Sequence, residues 1–238
     1  MLYGLLKGAL LGPALRLGFR PRADGVEHFP AHGPVVLVAN HQSFSDSLFM
    51  PLVAPRPVKF LAKAEYFTGR GIKGRLSAGF FRGVGSIPID RSGARAADPA
   101  LATALRLLAD GNVVGMYPEG TRSPDGRLYR GRTGVARIAL AAGCPVLPCA
   151  IFGTDKVQPT GQRVPVPTAR RVRVVFGEPL DFSRYTGPDG EAWRVLEGTR
   201  AERAVLRAVT DEIMLTLGRM TGQEYVDVYA STVKKKTR

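Results

Sequence analysis

The chain reads as a single α/β domain with a largely parallel central sheet flanked by helices. Three observations predict it. Short apolar runs recur without the alternating polar positions of a half-wet strand, which is how a strand buried on both faces reads. Between them lie stretches with apolar residues at helical spacing and recognisable caps. Finally, 28 glycines and 18 prolines in 238 residues suit many tight turns better than a helical bundle.

Met1 to Phe19 is mostly apolar, but Lys7, Arg16 and Arg20 interrupt or follow it and Pro13 sits inside. A spanning helix needs about 20 apolar residues without such charges. A secretory leader carries its positive charge ahead of the apolar stretch and a small-residue cleavage site behind it. Neither template fits. Residues 1–20 read instead as a short amphipathic membrane-interface segment whose Lys and Arg reach head groups. A helix packed on the domain's own core is the alternative, and Pro13 is expected to bend or break any helix there.

The domain proper is expected over residues 21–230. Val35–Ala39, Val58–Ala62, Ser86–Ile89, Val113–Tyr117 and Val146–Ile151 are its buried strands, and the alternating Arg171–Val174 suits an edge strand with one wet face. One helix begins at Asp98 with Pro99 in the first helical position, carries Leu101, Leu105 and Leu108 on one face, and stops at Gly111. A second presents Val135, Ile138, Ala139 and Ala142 and ends at Gly143. A third starts at Thr199, where Glu202 completes a capping box, presents Leu206, Val209, Ile213 and Leu217, and stops at Gly218. Residues 231–238 form a basic tail, which adds membrane attraction of about 1 kcal/mol per near-surface cation.

The formal net charge of +14 and pI near 10.4 point to a polyanionic partner: nucleic acid, an anionic membrane or a phosphorylated substrate. No zinc-finger spacing, base-stacking motif or basic zipper accompanies the charge, so no nucleic acid partner is expected. Cys144 and Cys149 on one strand stand too far apart to bridge, at ~3.3 Å per residue. Both read as buried apolar residues in a reducing compartment. His28 and His32 flank Phe29-Pro30 in a loop and read as surface residues.

Asn40-His41-Gln42-Ser43-Phe44-Ser45-Asp46 follows directly on the first apolar strand. Ligands bind at the carboxyl ends of parallel strands, so His41 stands where chemistry happens. Five residues along one helix turn two side chains about 140° apart. Across a strand-to-helix turn, with Asp46 opening the helix, they meet. The carboxylate then fixes the imidazole tautomer and leaves the other ring nitrogen as a base for a hydroxyl. The pair lacks an activated Ser or Cys, so the nucleophile is expected from the substrate. Ser43 and Ser45 keep a hydrolase open, although no Gly-x-Ser-x-Gly elbow supports it.

Tyr117-Pro118-Glu119-Gly120-Thr121-Arg122-Ser123 leaves another strand in the same way. Pro118 stops the strand, and Gly120 allows close backbone approach to a ligand. Arg122 offers a fork for phosphate oxygens, and Glu119 either holds that Arg or binds a substrate hydroxyl. Arg91 lies just past Ser86–Ile89 and Lys63 just past Phe60-Leu61. Three cations and one His thus leave neighbouring strands at one end, as an anionic substrate requires.

Together, Asn-His-x-Ser-x-x-Asp, Gly-x-Ile-Pro-Ile-Asp-Arg, Pro-Glu-Gly-Thr-Arg-Ser and Val-Leu-Pro-Cys-Ala, spanning Asn40 to Ala150, resemble the phospholipid and glycerol acyltransferase family. Within it the chain looks most like bacterial 1-acylglycerol-3-phosphate acyltransferases. The resemblance implies a glycerol-3-phosphate acyltransferase-like fold and His41 and Asp46 as catalytic base and partner. It also implies that Glu119, Gly120, Thr121, Arg122, Arg91 and Lys63 bind the glycerol phosphate, with Pro148 near the acyl channel. The reaction implied moves an acyl group from acyl-CoA or acyl-carrier protein to the acceptor's free hydroxyl, without metal, cofactor or covalent intermediate. Implied partners are the lysophospholipid, the acyl thioester or its carrier protein, and an anionic membrane surface. The implied location is the cytoplasmic face of the cell membrane, peripheral or monotopic. Another lyso-lipid or glycolipid acceptor, or a non-catalytic basic lipid-binding protein, are the alternatives. Two positions depart from the family's pattern. Pro88 stands where many members carry an aromatic, and Leu128-Tyr129-Arg130-Gly131-Arg132 stands where the family often has Phe-Lys-x-Gly.

Overall fold

A computed structural model of the chain describes residues 11–69, 71–83, 85–89, 97–159, 161–162, 164–168, 171–187, 191–196 and 198–236. In chain order the strands are β1 Arg22–Asp24, β2 Val35–Ala39, β3 Val58–Lys63, β4 Ser86–Ile89, β5 Val113–Met116, β6 Leu128–Tyr129, β7 Val146–Phe152, β8 Arg173–Phe176 and β9 Tyr225–Val226. Seven of them form one sheet in the order β1-β8-β7-β2-β5-β3-β4, and β6 pairs with β9 as a separate ribbon.

β2 lies between β5 and β7, parallel to both. All five of its side chains are 0% exposed, which explains an apolar run with no polar alternation. Beyond β5, β3 and β4 continue the parallel array. Gly115 in β5 allows β3 to lie close, because a Cβ there would stand 2.6 Å from the Phe60 ring. Pro88 falls on β4, the edge strand, where a missing N–H is tolerated.

Successive residues of β2 serve opposite faces of the sheet. Val35, Leu37 and Ala39 pack with Leu15 of α1 (Leu11–Phe19) and with Phe49, Met50 and Leu52 of α2 (Asp46–Val53). α3 (Gly71–Gly83) connects β3 to β4. Val36 and Val38 pack on the other face, with α4 (Ala97–Ala109) and α5 (Gly134–Ala142). After the short helices α6 (Thr154–Val157), α7 (Ser183–Thr186) and α8 (Glu191–Leu196), the long α9 (Arg200–Thr221) brings Leu206, Val209, Ile213 and Leu217 to that same core. A final helix, α10, spans Ala230–Lys236. The Thr199 hydroxyl caps α9 by accepting from Glu202 N at 3.1 Å. The Glu202 carboxylate returns to Gly198 N at 2.7 Å, one residue earlier than a strict capping box requires, and also meets Arg137 of α5 at 2.8 Å.

Several expectations are corrected. The strand foreseen at Arg171–Val174 runs over Arg173–Phe176, antiparallel to β7, and it is not the edge; β1 pairs on its outer side. Gly218 does not stop α9. It keeps a helical backbone beside Leu128, and the helix ends at Gly222 with φ 66°. Asp98 and Pro99 lie inside the first turn of α4, which starts at Ala97. Pro13 does not break α1, of which it is the third described residue. The interface segment 1–20 lies half outside the described residues. Of the rest, Leu15 and Phe19 pack on the domain and Leu17 is 78% exposed. The tail 231–238 is helical as far as Lys236. His28 does not stand free at the surface, because its Nδ1 bonds the Phe176 carbonyl at 3.0 Å. No helix among the described residues is long and apolar enough to cross a membrane.

Candidate active site

The site grows from the carboxyl end of β2. Beyond Ala39, the buried Asn40 side chain continues the ladder to β7: its oxygen accepts from Ile151 N at 2.8 Å and its amide donates to Ile151 O at 3.0 Å. The chain then turns into α2, with Asp46 as the first helical residue. This is the geometry in which a five-residue spacing closes, and His41 Nδ1 lies 2.8 Å from Asp46 Oδ2.

The same carboxylate oxygen accepts from Gln42 N and Ser43 N, each at 2.8 Å. An oxygen that already accepts two N–H groups holds no proton, so His41 Nδ1 donates and Nε2 carries the free lone pair. Asp46 is 0% exposed, and its Oδ1 has no hydrogen-bond partner among the described residues. The His41 ring lies flat on Tyr117, with centroids 3.8 Å apart and planes 10° apart. Tyr117 is in turn linked to Ser47 by a 2.9 Å hydroxyl contact and stacked on Phe60. Desolvation first, then the charge of Asp46, holds the Tyr117 hydroxyl well above the ordinary phenol range, so it stays protonated.

Ser43 and Ser45 are not poised as nucleophiles. Both are buried; Ser43 Oγ donates to Gln158 O at 2.8 Å and Ser45 Oγ to Gln158 Oε1 at 2.5 Å. Their hydroxyls tie the turn to Gln158, the residue that caps the C-terminus of α6. Cys144 and Cys149 are free and buried. Burial pushes the Cys144 thiol up to about 11 and Cys149 higher still, leaving both inert at neutral pH.

β5 delivers the second motif beside the first. Glu119 is buried, and its two oxygens accept from His41 N at 3.1 Å and Tyr129 N at 3.0 Å. The Glu119–Arg122 ion pair that the sequence allowed is therefore absent, and among the described residues the Arg122 guanidinium has no carboxylate partner. Burial raises the Glu119 carboxyl to about 7, against the two backbone hydrogen bonds and with a smaller push from Asp46. Gly120 has φ 72°, and a Cβ there would stand 2.9 Å from Arg132 Cδ. Ser123 N donates to His41 O at 2.7 Å, so the two motifs are stitched by backbone as well.

Among the other expected site residues, Lys63 is the last residue of β3, the strand next to β5. Arg91 lies outside the described residues. Pro148 sits in mid-β7 in register with Val38, its carbonyl accepting from Gly177 N at 2.8 Å, and takes no part in the His41–Glu119 hydrogen bonds. Thr121 accepts from Lys234 at 3.0 Å. Arg130 lies 3.6 Å from Asp227, and Arg132 bonds Ser231 at 2.9 Å, so both arginines of the departing motif face the C-terminal segment. The sequence reading gave no role to Asn40, Tyr117, Tyr129 or Gln158, and it gave Lys234 only the membrane attraction of a basic tail. Tyr117 alone carried a local signal, an aromatic at the end of an apolar strand.

Known proteins resemble the chain in sequence. The chain is 32% identical over 167 residues to a chloroplastic 1-acyl-sn-glycerol-3-phosphate acyltransferase of Arabidopsis thaliana, covering 70% of this chain and 45% of the relative. It is 33% identical over 167 residues to a chloroplastic counterpart in Brassica napus, covering 70% and 46%. It thus spans under half the length of these plant relatives. A Bacillus subtilis protein of the same name is 26% identical over 156 residues, covering 65% of this chain and 70% of the relative. Among solved structures, the 1-acyl-sn-glycerophosphate acyltransferase PlsC of Thermotoga maritima superposes with a TM-score of 0.58 at 25% identity, covering 87% of this chain and 80% of that one. A family model described as acyltransferase matches residues 20–152, more than half of the chain and the whole stretch from β1 through β7 that builds the site, and the chain belongs to that family.

Proposed function

We propose that this chain transfers a fatty acyl group from acyl-CoA or acyl-carrier protein to the free hydroxyl of 1-acyl-sn-glycerol 3-phosphate, giving phosphatidic acid. The observation that carries this reading is the 2.8 Å bond that fixes His41 Nδ1 on Asp46 and turns Nε2 into the base. Nε2 takes the acceptor hydroxyl's proton as its oxygen attacks the thioester carbonyl carbon. The carbon–sulfur bond breaks, and the imidazolium returns the proton to the departing thiolate. Asp46 stabilises the imidazolium in between. Holding acceptor and thioester beside the base supplies a further rate factor, since effective molarities reach about 10⁵ M or more.

Arg122 and Thr121 at the end of β5, with Lys63 and Arg91 from the next two strands, hold the acceptor phosphate in this reading. Glu119 and Gly120 shape the turn that presents them, and Pro148 borders the acyl chain. The names of the plant and bacterial relatives support the acceptor. The net charge of +14 supports work at an anionic membrane surface, on the cytoplasmic face, as a peripheral or monotopic protein.

The test uses the purified chain in detergent or vesicles with acyl-CoA and 1-acyl-sn-glycerol 3-phosphate, following thiol release and lipid product. Phosphatidic acid from the wild type and none from a folded His41→Ala variant is the expected result. Product only with other lyso-lipids keeps the chemistry and changes the acceptor. Full activity in His41→Ala overturns the mechanism.

A further inference from the structure

Sequence analysis reads the last residues as a basic tail that attracts a membrane surface, and the family match stops at residue 152. The structure also gives them contacts beside the candidate site. From Gly222 the chain returns to the site in steps. Gln223 accepts from Asn40 Nδ2 at 3.0 Å and donates to Gly126 O at 2.5 Å. β9 then pairs with β6, next to the Tyr129 N–H that Glu119 holds. Tyr229 lies under Arg130 and Arg132, at 5.7 Å and 4.9 Å from ring centroid to guanidinium carbon. Ala230 is fully buried, and Ser231 bonds Arg132. α10 then delivers Lys234, whose ammonium group donates to Thr121 Oγ1 at 3.0 Å and to the Arg122 carbonyl.

We propose that Lys234 is a positioning residue for the anion of the acceptor substrate, holding Thr121 and Arg122 in the orientation that receives it; this rests on the reaction proposed above. A hydroxyl whose oxygen accepts from an ammonium group keeps its own hydrogen to donate. Lys234 thereby makes Thr121 a donor aimed away from the ammonium. By pinning the Arg122 carbonyl it fixes the backbone from which that guanidinium extends. A turn fixed this way presents two donors and added positive potential without ordering them at the moment of binding.

The test compares wild type, Lys234→Met and Lys234→Arg as full chains, varying acyl-CoA and 1-acyl-sn-glycerol 3-phosphate separately. Losing one charge-assisted contact raises the acceptor KM roughly tenfold in Lys234→Met. The donor KM stays put, the melting temperature moves little, and Lys234→Arg recovers most of the acceptor affinity. An unchanged acceptor KM, or equal rises for donor and acceptor, overturns the proposal. A wild type inactive on this acceptor sinks the proposed reaction instead. Amide exchange then decides the brace: faster exchange at Gly120 and Ser123 in Lys234→Met supports it, and unchanged protection overturns it.

Discussion

The carboxyl ends of β2 and β5 lie side by side, and each hides a carboxylate, but the two are wired differently. Asp46 loads three donors, one of them His41, onto a single oxygen and leaves the other without a partner. Glu119 spreads its load, one backbone N–H to each oxygen, from His41 and from Tyr129. In the proposed reaction the Asp46 carboxylate gains a full countercharge when His41 becomes an imidazolium, which is stabilisation realised during reaction and not before. The balanced one is already satisfied at rest. In the proposed reaction, one acid belongs to the chemistry and the other to the architecture that brings His41, Thr121 and Arg122 together.

Substitutions separate the two roles. Asp46→Asn carries the largest expected effect: kcat falls on the order of 10³-fold or more, since an amide in place of the acceptor carboxylate costs His41 its tautomer and its countercharge. Steady-state kinetics alongside circular dichroism checks this, and a loss below tenfold with the fold intact would assign the base role elsewhere. Glu119→Ala comes next. It leaves two buried N–H groups unpaired, at about 1–3 kcal/mol each, and lowers the melting temperature by about 10 °C for a chain of this size. A variant as stable as wild type but inactive would move Glu119 from architecture into chemistry.

The comparison also has a pH signature. The Glu119 carboxyl sits at about 7 against an ordinary 4.5, raised by burial first and opposed by its backbone donors and by Lys234. Between those values the folded state holds a proton that the unfolded state has lost. The stability this contributes is fully present below about pH 4.5 and disappears as the pH rises through about 7, a change of about 3 kcal/mol. Urea midpoints measured from pH 4.5 to 8 should show that decline in the wild type relative to Glu119→Gln, in which the position cannot titrate. Parallel curves would mean that Glu119 is ionised throughout.

How much of this was legible depended on distance along the chain. Five strands were readable as short, mostly apolar runs, and β2, buried on both faces, is apolar at every residue. α9 was readable from Thr199 and the spacing of its core side chains, though Gly218 mimicked a stop that only Gly222 supplies. β1 and β9, of three and two residues, are too short to carry a period. The His41–Asp46 pair was legible because it closes within five residues. Glu119 was visible as a residue but not as a clamp, since His41 N lies 78 positions away. Lys234 reaches Thr121 across 113 positions, and no local pattern announces that. A run of lysines reads the same whether it is solvated or docked.

The smallest expected effect tests how tightly the architectural side is built. Gly120 follows Glu119 with φ 72°, a conformation that costs an L-residue about 1–2 kcal/mol. A methyl there would also crowd Arg132, but only its flexible side chain, which can shift. Gly120→Ala should therefore destabilise by about 1–2 kcal/mol, near the intrinsic backbone cost. Because Arg132 N is held by the Pro118 carbonyl at 2.8 Å, the shift is confined to side-chain atoms and the turn keeps its register. The acceptor KM should rise while kcat holds, since His41 and Asp46 do not move. A fall in kcat comparable to that of Asp46→Asn would show that the turn at the end of β5 reports directly on the imidazole, and the division between the two carboxylates would have to be redrawn.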